Sequence, residues 1–203
     1  MSTEDKGLFK DKREAIIAYS KYVNEHIAYV HLAFIKFAEK ICSDLEERYK
    51  GIHRLHGKVR TKILNHDDSK FNEAEFIPYV QKFYPWEGMD KTQEQIAEEF
   101  DTAWMHHVKH NDHHPEHWIQ WSDLQKRNIF MAMDDAALIE MLLDWIAMSM
   151  ARNQSVYEWW TTDKGGREEK KKLMDKMDFE FVDRWIEANK NLIDFSNRNM
   201  DNN

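Results

Sequence analysis

Nine of the eleven histidines in this 203-residue chain lie between His53 and His117, a bunching that scattered surface imidazoles would not produce. Imidazole is the commonest borderline metal ligand, and carboxylates supply harder oxygens that can bridge two ions. A histidine-dense segment with Asp and Glu around it therefore points to metal chemistry. The purely structural use of the same residues is to stack on aromatics, cap helices or satisfy one another.

Apolar spacing says which of these residues face inward. After Thr92 the line Ile96, Phe100, Ala103 and Trp104 continues onto His107, while His106 is rotated by about 100° toward the flank. His107 is therefore expected in the core. A buried imidazole needs partners, and His110, His113 and His114 are close enough along the chain to join one cluster. His117, Trp118 and Trp121 follow Pro115 and are expected to pack or to line a rim. Asp144 makes the matching case among the carboxylates. It sits on the line Ala137, Met141, Met148 and Ala151, so it should be paired, coordinated or protonated, with Glu140 one turn earlier as the nearest alternative.

The elements that must position these residues read as helices throughout. Ile16, Tyr19, Val23, Ile27, Val30, Phe34, Phe37, Ile41 and Leu45 recur at helical spacing from Arg13 to Arg48, with no Gly or Pro between them, which reads as one long helix or two nearly collinear ones. Both His26 and His31 flank the apolar side of this helix, and periodicity does not choose between them. Gly51 and Gly57 bracket a basic segment, and Val59 to Leu64 leads to His66-Asp67-Asp68-Ser69-Lys70. Asn72 with Glu75 reads as a helix start that Pro78 should break in its first turn. Thr92 and Gln95 form a capping box, His114 before Pro115 should end that helix, and Asp134 caps an apolar helix over Ala136 to Ala151. Gly165-Gly166 marks a break before a C-terminal amphipathic helix at 167–195. The charge run Glu168 to Lys172 there reads as a solvated face, and Met174, Met177, Phe181 and Trp185 would close the core or make a homodimer face. No stretch alternates with period two for long enough to predict a strand. The expectation is an all-α fold, with a tail at 1–12 and a single helical domain at 13–203.

Composition narrows the class further. Lys and Arg number 29 against 37 Asp and Glu, a formal net charge of -8 that disfavours a long phosphate-backbone footprint. Cys42 is the lone cysteine, so neither an intramolecular disulfide nor a cysteine zinc cage can form. No signal-peptide core and no run of about 18 apolar residues is seen, so no membrane partner is expected and the default location is cytoplasmic.

The ordered set His26 or His31, His66-Asp67, His107 with His113 or His114, and Asp144 resembles the HD superfamily of metal-dependent phosphohydrolases. More narrowly, Glu25-His26-Ile27, His66-Asp67-x-Ser69-Lys70-Phe71, Glu75-Phe76, Ala103-Trp104, Asn111-x-His113-His114 and Glu140-Met141-x-x-Asp144-Trp145 look like an uncharacterised phage and bacterial family, over residues 20–160. The first resemblance implies a single HD-domain-like helical bundle, and the second implies a bacterial cell or phage-infected host. The first also implies that His26, His66, Asp67, His107, His114 and Asp144 surround one or two divalent transition metal ions (Mn, Fe, Zn, Ni or Co), with Asp67 as the bridge. Asp67 and Lys70 would be catalytic, Lys70 holding phosphate as a point charge. Ser69 departs from the Gly of many dinuclear members, which changes how closely a substrate can approach that loop. His53 and His56 are expected outside the site, and Trp86, Trp104, Trp118 or Trp121 could stack a base. The implied substrate is a small phosphorylated molecule or nucleotide. A non-catalytic HD-like binding protein and a di-iron oxygenase on the same ligands are the competing readings.

Overall fold

The computed structural model describes residues 8–49, 55–162 and 166–196. Gly51, His53, Gly165 and the first seven residues of the expected tail lie outside the described residues. The protein is predominantly α-helical, in chain order α1 (Lys12–Tyr49), α2 (Leu55–Leu64), α3 (Glu73–Phe83), α4 (Gln93–His110), strands β1 (Ile119–Ser122) and β2 (Arg127–Phe130), then α5 (Asp135–Ala151), α6 (Val156–Thr161), α7 (Gly166–Lys171) and α8 (Lys176–Ala188). The uninterrupted apolar spacing predicted for the first segment is α1, 38 residues long. Its residues are shared between two compact units: one comprises the chain up to Ile27 and Asp67–Asn111, the other Ala28–His66 and the chain from Asp112 onward.

In the first unit the start of α1 packs with α3 and α4. Ala15, Tyr19, Val23, Tyr79, Val80, Tyr84 and Ala103 form its core. Aromatic edges hold it: Tyr19 meets Phe76 at 5.3 Å and Tyr84 at 5.7 Å, and Tyr79 meets Phe100 at 5.1 Å between ring centroids. Each such pair adds roughly 0.5–1.5 kcal/mol beyond area burial. The Thr92 capping box forms as predicted, Thr92 Oγ1 accepting from Gln95 N and Gln95 Oε1 from Thr92 N. Two details differ from expectation. Pro78 lies inside an unbroken α3, because the helix already starts at Glu73 with Asn72 as its cap and gives up only the one bond that Pro78 cannot donate. And α4 stops at His110, four residues before His114, because Asn111 turns extended and its side chain donates to His107 O.

The second unit is built on α5, apolar on nearly all sides, against the rest of α1, α2 and α8. Asp134 caps α5 by accepting from Ala136 N at 3.0 Å. The predicted 167–195 helix is two helices. Asp175 accepts from Met177 N and starts α8 afresh after a turn at Lys172–Met174, and α8 ends at Ala188. Met174, Phe181 and Trp185 close the core, whereas Met177 is exposed. Gly166 is the first residue of α7 and lies under the rings of Trp159 and Trp160. The antiparallel pair β1–β2 was not predicted, since four-residue strands with every β2 side chain exposed carry no inward–outward alternation. Lys126, at φ 52°, turns the chain between them.

Candidate metal centres

In the first unit the doublet's aspartate is the centre. The chain leaves α2 through a turn in which Asp67 takes a left-handed backbone, φ 59°, which Asp tolerates better than most residues. Its buried carboxylate lies between two buried imidazoles: His26 Nε2 is 3.3 Å from Oδ2 and His107 Nε2 is 3.5 Å from Oδ1. Lys70, one turn on, places Nζ 2.5 Å from Oδ2. His31 points elsewhere and belongs to the second unit, its Nε2 bonded to Ile63 O.

The orientation of His107 comes from Glu75, which in the sequence marks a helix start and belongs to the Glu75-Phe76 phrase. Glu75, fully buried on α3, holds His107 Nδ1 with Oε2 at 2.8 Å and His106 Nδ1 with Oε1 at 2.7 Å. Burial pushes Glu75 up, but the hydrogen bonds from His107 and His106 outweigh it and hold its carboxyl below the usual range. An ionised Glu75 only accepts, so each Nδ1 carries the proton. Burial lowers His107 despite Glu75, favouring the neutral ring. A neutral His107 then turns its Nε2 lone pair on a carboxylate oxygen of Asp67, an arrangement that a cation between the two would stabilise. Asn111 Nδ2 donates to Ser69 Oγ at 2.6 Å and ties the end of α4 to the doublet's turn.

The second unit repeats the device. Glu140 Oε1 accepts from His66 Nδ1 at 2.9 Å and lies 3.4 Å from His113 Nδ1. Burial raises Glu140, but the hydrogen bonds from His113 and His66 win and bring it down to about 2. His66 Nε2 stands 3.9 Å from Asp144 Oδ1, and one ligand atom from each of His66, His113 and Asp144 falls within 4.8 Å of the others. Donors about 2.1 Å from one ion are about 3.0 Å apart in octahedral and 3.4 Å in tetrahedral geometry, so the His26–Asp67 and His107–Asp67 contacts are each at coordination spacing, and the His66–Asp144 contact is wider. The donor set, imidazole with carboxylate, suits a borderline divalent ion.

The predicted site residues therefore gather as His26, Asp67, Lys70 and His107 in one unit and His66, His113 and Asp144 in the other. His114, half-buried, stacks beside His113 at 4.4 Å. Asp144 is only half-buried, because α5 turns it toward the edge, and Glu140 is the deeply buried carboxylate of that helix. Lys70 pairs with Asp67. His110 does not join the cluster with His107; it is exposed and stacks on His106. His56 is exposed against Phe34, Trp118 donates to Asp112 O, and Trp121 is exposed. Glu75 was legible after all: it lies one turn before Tyr79 on the buried face of α3. Two further polar groups, the Tyr19 and Tyr79 hydroxyls, are buried with no hydrogen-bond partner among the described residues. Burial pushes both up, so both stay protonated.

A family model matches residues 15–188, and the chain belongs to that family, described as a family of unknown function (DUF5662). No curated protein and no solved structure matches the chain, and nothing in these comparisons places it in the HD superfamily.

Proposed function

We propose that this DUF5662 member is a metal-dependent phosphohydrolase of the HD type, acting in the cytoplasm on a small phosphorylated substrate, a nucleotide foremost. One observation carries the reading. Two buried glutamates, Glu75 and Glu140, each sit against the Nδ1 atoms of two histidines, the arrangement that orients metal-ligating histidines. Asp67 with His26 or with His107, which meet different oxygens of its carboxylate, would hold a divalent ion, and His66, His113 and Asp144 another, with His114 as a further donor. Such an ion supplies an ionisable water near neutral pH and positive charge for a phosphoryl oxygen.

The chain's own residues do the rest. Glu75 and Glu140 fix the tautomer and aim of the imidazoles, and burial keeps His107 neutral so that its lone pair stays available. Lys70 is a cation at the doublet, and an arriving phosphate would draw it off Asp67 as a point charge. The Tyr19 and Tyr79 hydroxyls remain neutral donors. The net charge of -8 favours a small substrate over a long polyanion.

A second reading, a non-catalytic interaction protein, is favoured by the Lys70–Asp67 ion pair, which sets a cation against one oxygen of that carboxylate without metal. Metal content and turnover together separate the two. Measured by mass spectrometry on tag-free protein, native chain is expected to retain one or two equivalents of a transition metal and Asp67→Asn, which keeps the left-handed turn, to lose at least one. Metal-loaded native protein should then hydrolyse a member of a panel of phosphomonoesters and nucleotides, while Lys70→Ala keeps its metal and loses turnover. Native protein that takes up no metal even on reconstitution would sink the hydrolase and leave the interaction reading.

A further inference from the structure

We infer that His106 and His110 form a separate, surface metal site on α4 for one borderline transition-metal ion, independent of the buried clusters and of the activity proposed for them. The two residues are one helical turn apart, so their side chains share a face. Their rings stack with centroids 4.0 Å apart and planes 23° from parallel. His106 is half-buried and His110 exposed, so solvent and its ions reach the pair.

The hydrogen bonds decide which nitrogen is left for a ligand. His106 Nδ1–H donates to Glu75 Oε1 at 2.7 Å, and His110 Nδ1–H donates to the His106 carbonyl at 2.8 Å. Both acceptors lack a proton to give, so in the neutral rings each Nε2 holds a lone pair, and neither Nε2 makes a hydrogen bond among the described residues. A carboxylate or a backbone carbonyl on the far ring nitrogen fixes the tautomer and raises the basicity of a metal-binding histidine, and this pair has one of each. Turning the two rings out of their stack would bring both Nε2 atoms onto neighbouring positions of one ion, with water completing its shell. Two imidazoles and no thiolate suit Cu(II), Ni(II) or Zn(II), with Cu(II) held tightest. The second oxygen of Glu75 holds His107, so one carboxylate orients an outward-facing donor and an inward-facing one.

Exposure supplies a readout that the buried clusters cannot give, namely capture by Cu(II) fixed on a chelating resin. Tag-free native protein should bind the resin and need imidazole for elution. His110→Ala should bind it about tenfold more weakly. Alanine at an exposed helix position keeps α4 folded, which circular dichroism would verify. His117→Ala removes another exposed histidine and should elute close to native, and Asp67→Asn, which disarms a buried cluster, should also retain native binding to the resin. Native-like elution of His110→Ala would overturn the site, and so would an equal loss in His117→Ala or Asp67→Asn.

Discussion

Glu140→Gln preserves the size of the side chain that orients His66 and His113 but removes its charge and offers an amide to one of the rings. Metal affinity is expected to fall about 10- to 100-fold, measured by competition with a chelator of known affinity, with little change in helix content. Glu75→Gln should do the same for the cluster around Asp67. The same carboxylates set the acid sensitivity of the metal-free protein. Glu140 stands at about 2 in the folded state against an ordinary 4.5, so its contribution is complete above 4.5 and is lost as the pH falls toward 2; it is on the order of 3 kcal/mol. His107 is held below its ordinary 6.5, so the unfolded chain takes up that proton first, and this contribution also shrinks as the pH falls through 6.5. Urea denaturation of metal-free protein should therefore show stability decreasing in two stages from about pH 6.5 downward. A flat profile between pH 7 and 3 would contradict both assignments. The burial of His107 was readable in the sequence because the helical period is rigid. The burial of Glu75 was passed over because Asn72 three residues earlier offered a simpler role as a helix start.

Helices with an unambiguous start were legible, and those ended by packing were not. α4 and α5 begin where Thr92 and Asp134 accept their backbone hydrogen bonds, a purely local event. Thr92→Ala should cost about 1 kcal/mol in chemical denaturation by removing one half of the capping box. The C-terminal segment is different: its apolar residues keep helical spacing past the point where Asp175 restarts the backbone, so periodicity runs across a break it cannot register. Gly166 shows the same limit. As a sequence signal it marks a break, yet a Cβ there would fall 2.5 Å from Trp159 Cη2 and 2.9 Å from Trp160 Cε3. The residue is small because two indoles cover it, and Gly166→Ala should destabilise the protein by about 1–3 kcal/mol through forced displacement of those rings. The β1–β2 pair stayed invisible because neither strand has a buried face to impose a pattern.

Each of the two units has its own apolar core and its own imidazole–carboxylate cluster, and the doublet supplies one residue to each, His66 to one and Asp67 to the other. No helix among the described residues is long and apolar enough to cross a membrane. An ion bound only by the folded chain raises its stability by mass action, by about 2.7 kcal/mol at a free concentration one hundred times the dissociation constant. For a chain of this size that corresponds to a rise of about 5–10 °C in Tm on metal loading, reversed by chelation and read by calorimetry. No shift with any of Mn, Fe, Co, Ni or Zn would count against both clusters.

The left-handed backbone at Asp67 limits what drift can do to the doublet. A side chain there must both tolerate positive φ and carry a charge, and asparagine and glycine meet only the first demand. In a library of all twenty residues at this position, Asn and Gly variants should accumulate as folded, metal-poor protein, while β-branched residues should disappear from the soluble fraction. The doublet can thus lose its ion quietly by a step to Asn, whereas most other steps add a backbone penalty of about 1–2 kcal/mol, so silenced relatives of this chain are expected to carry His-Asn at the same place.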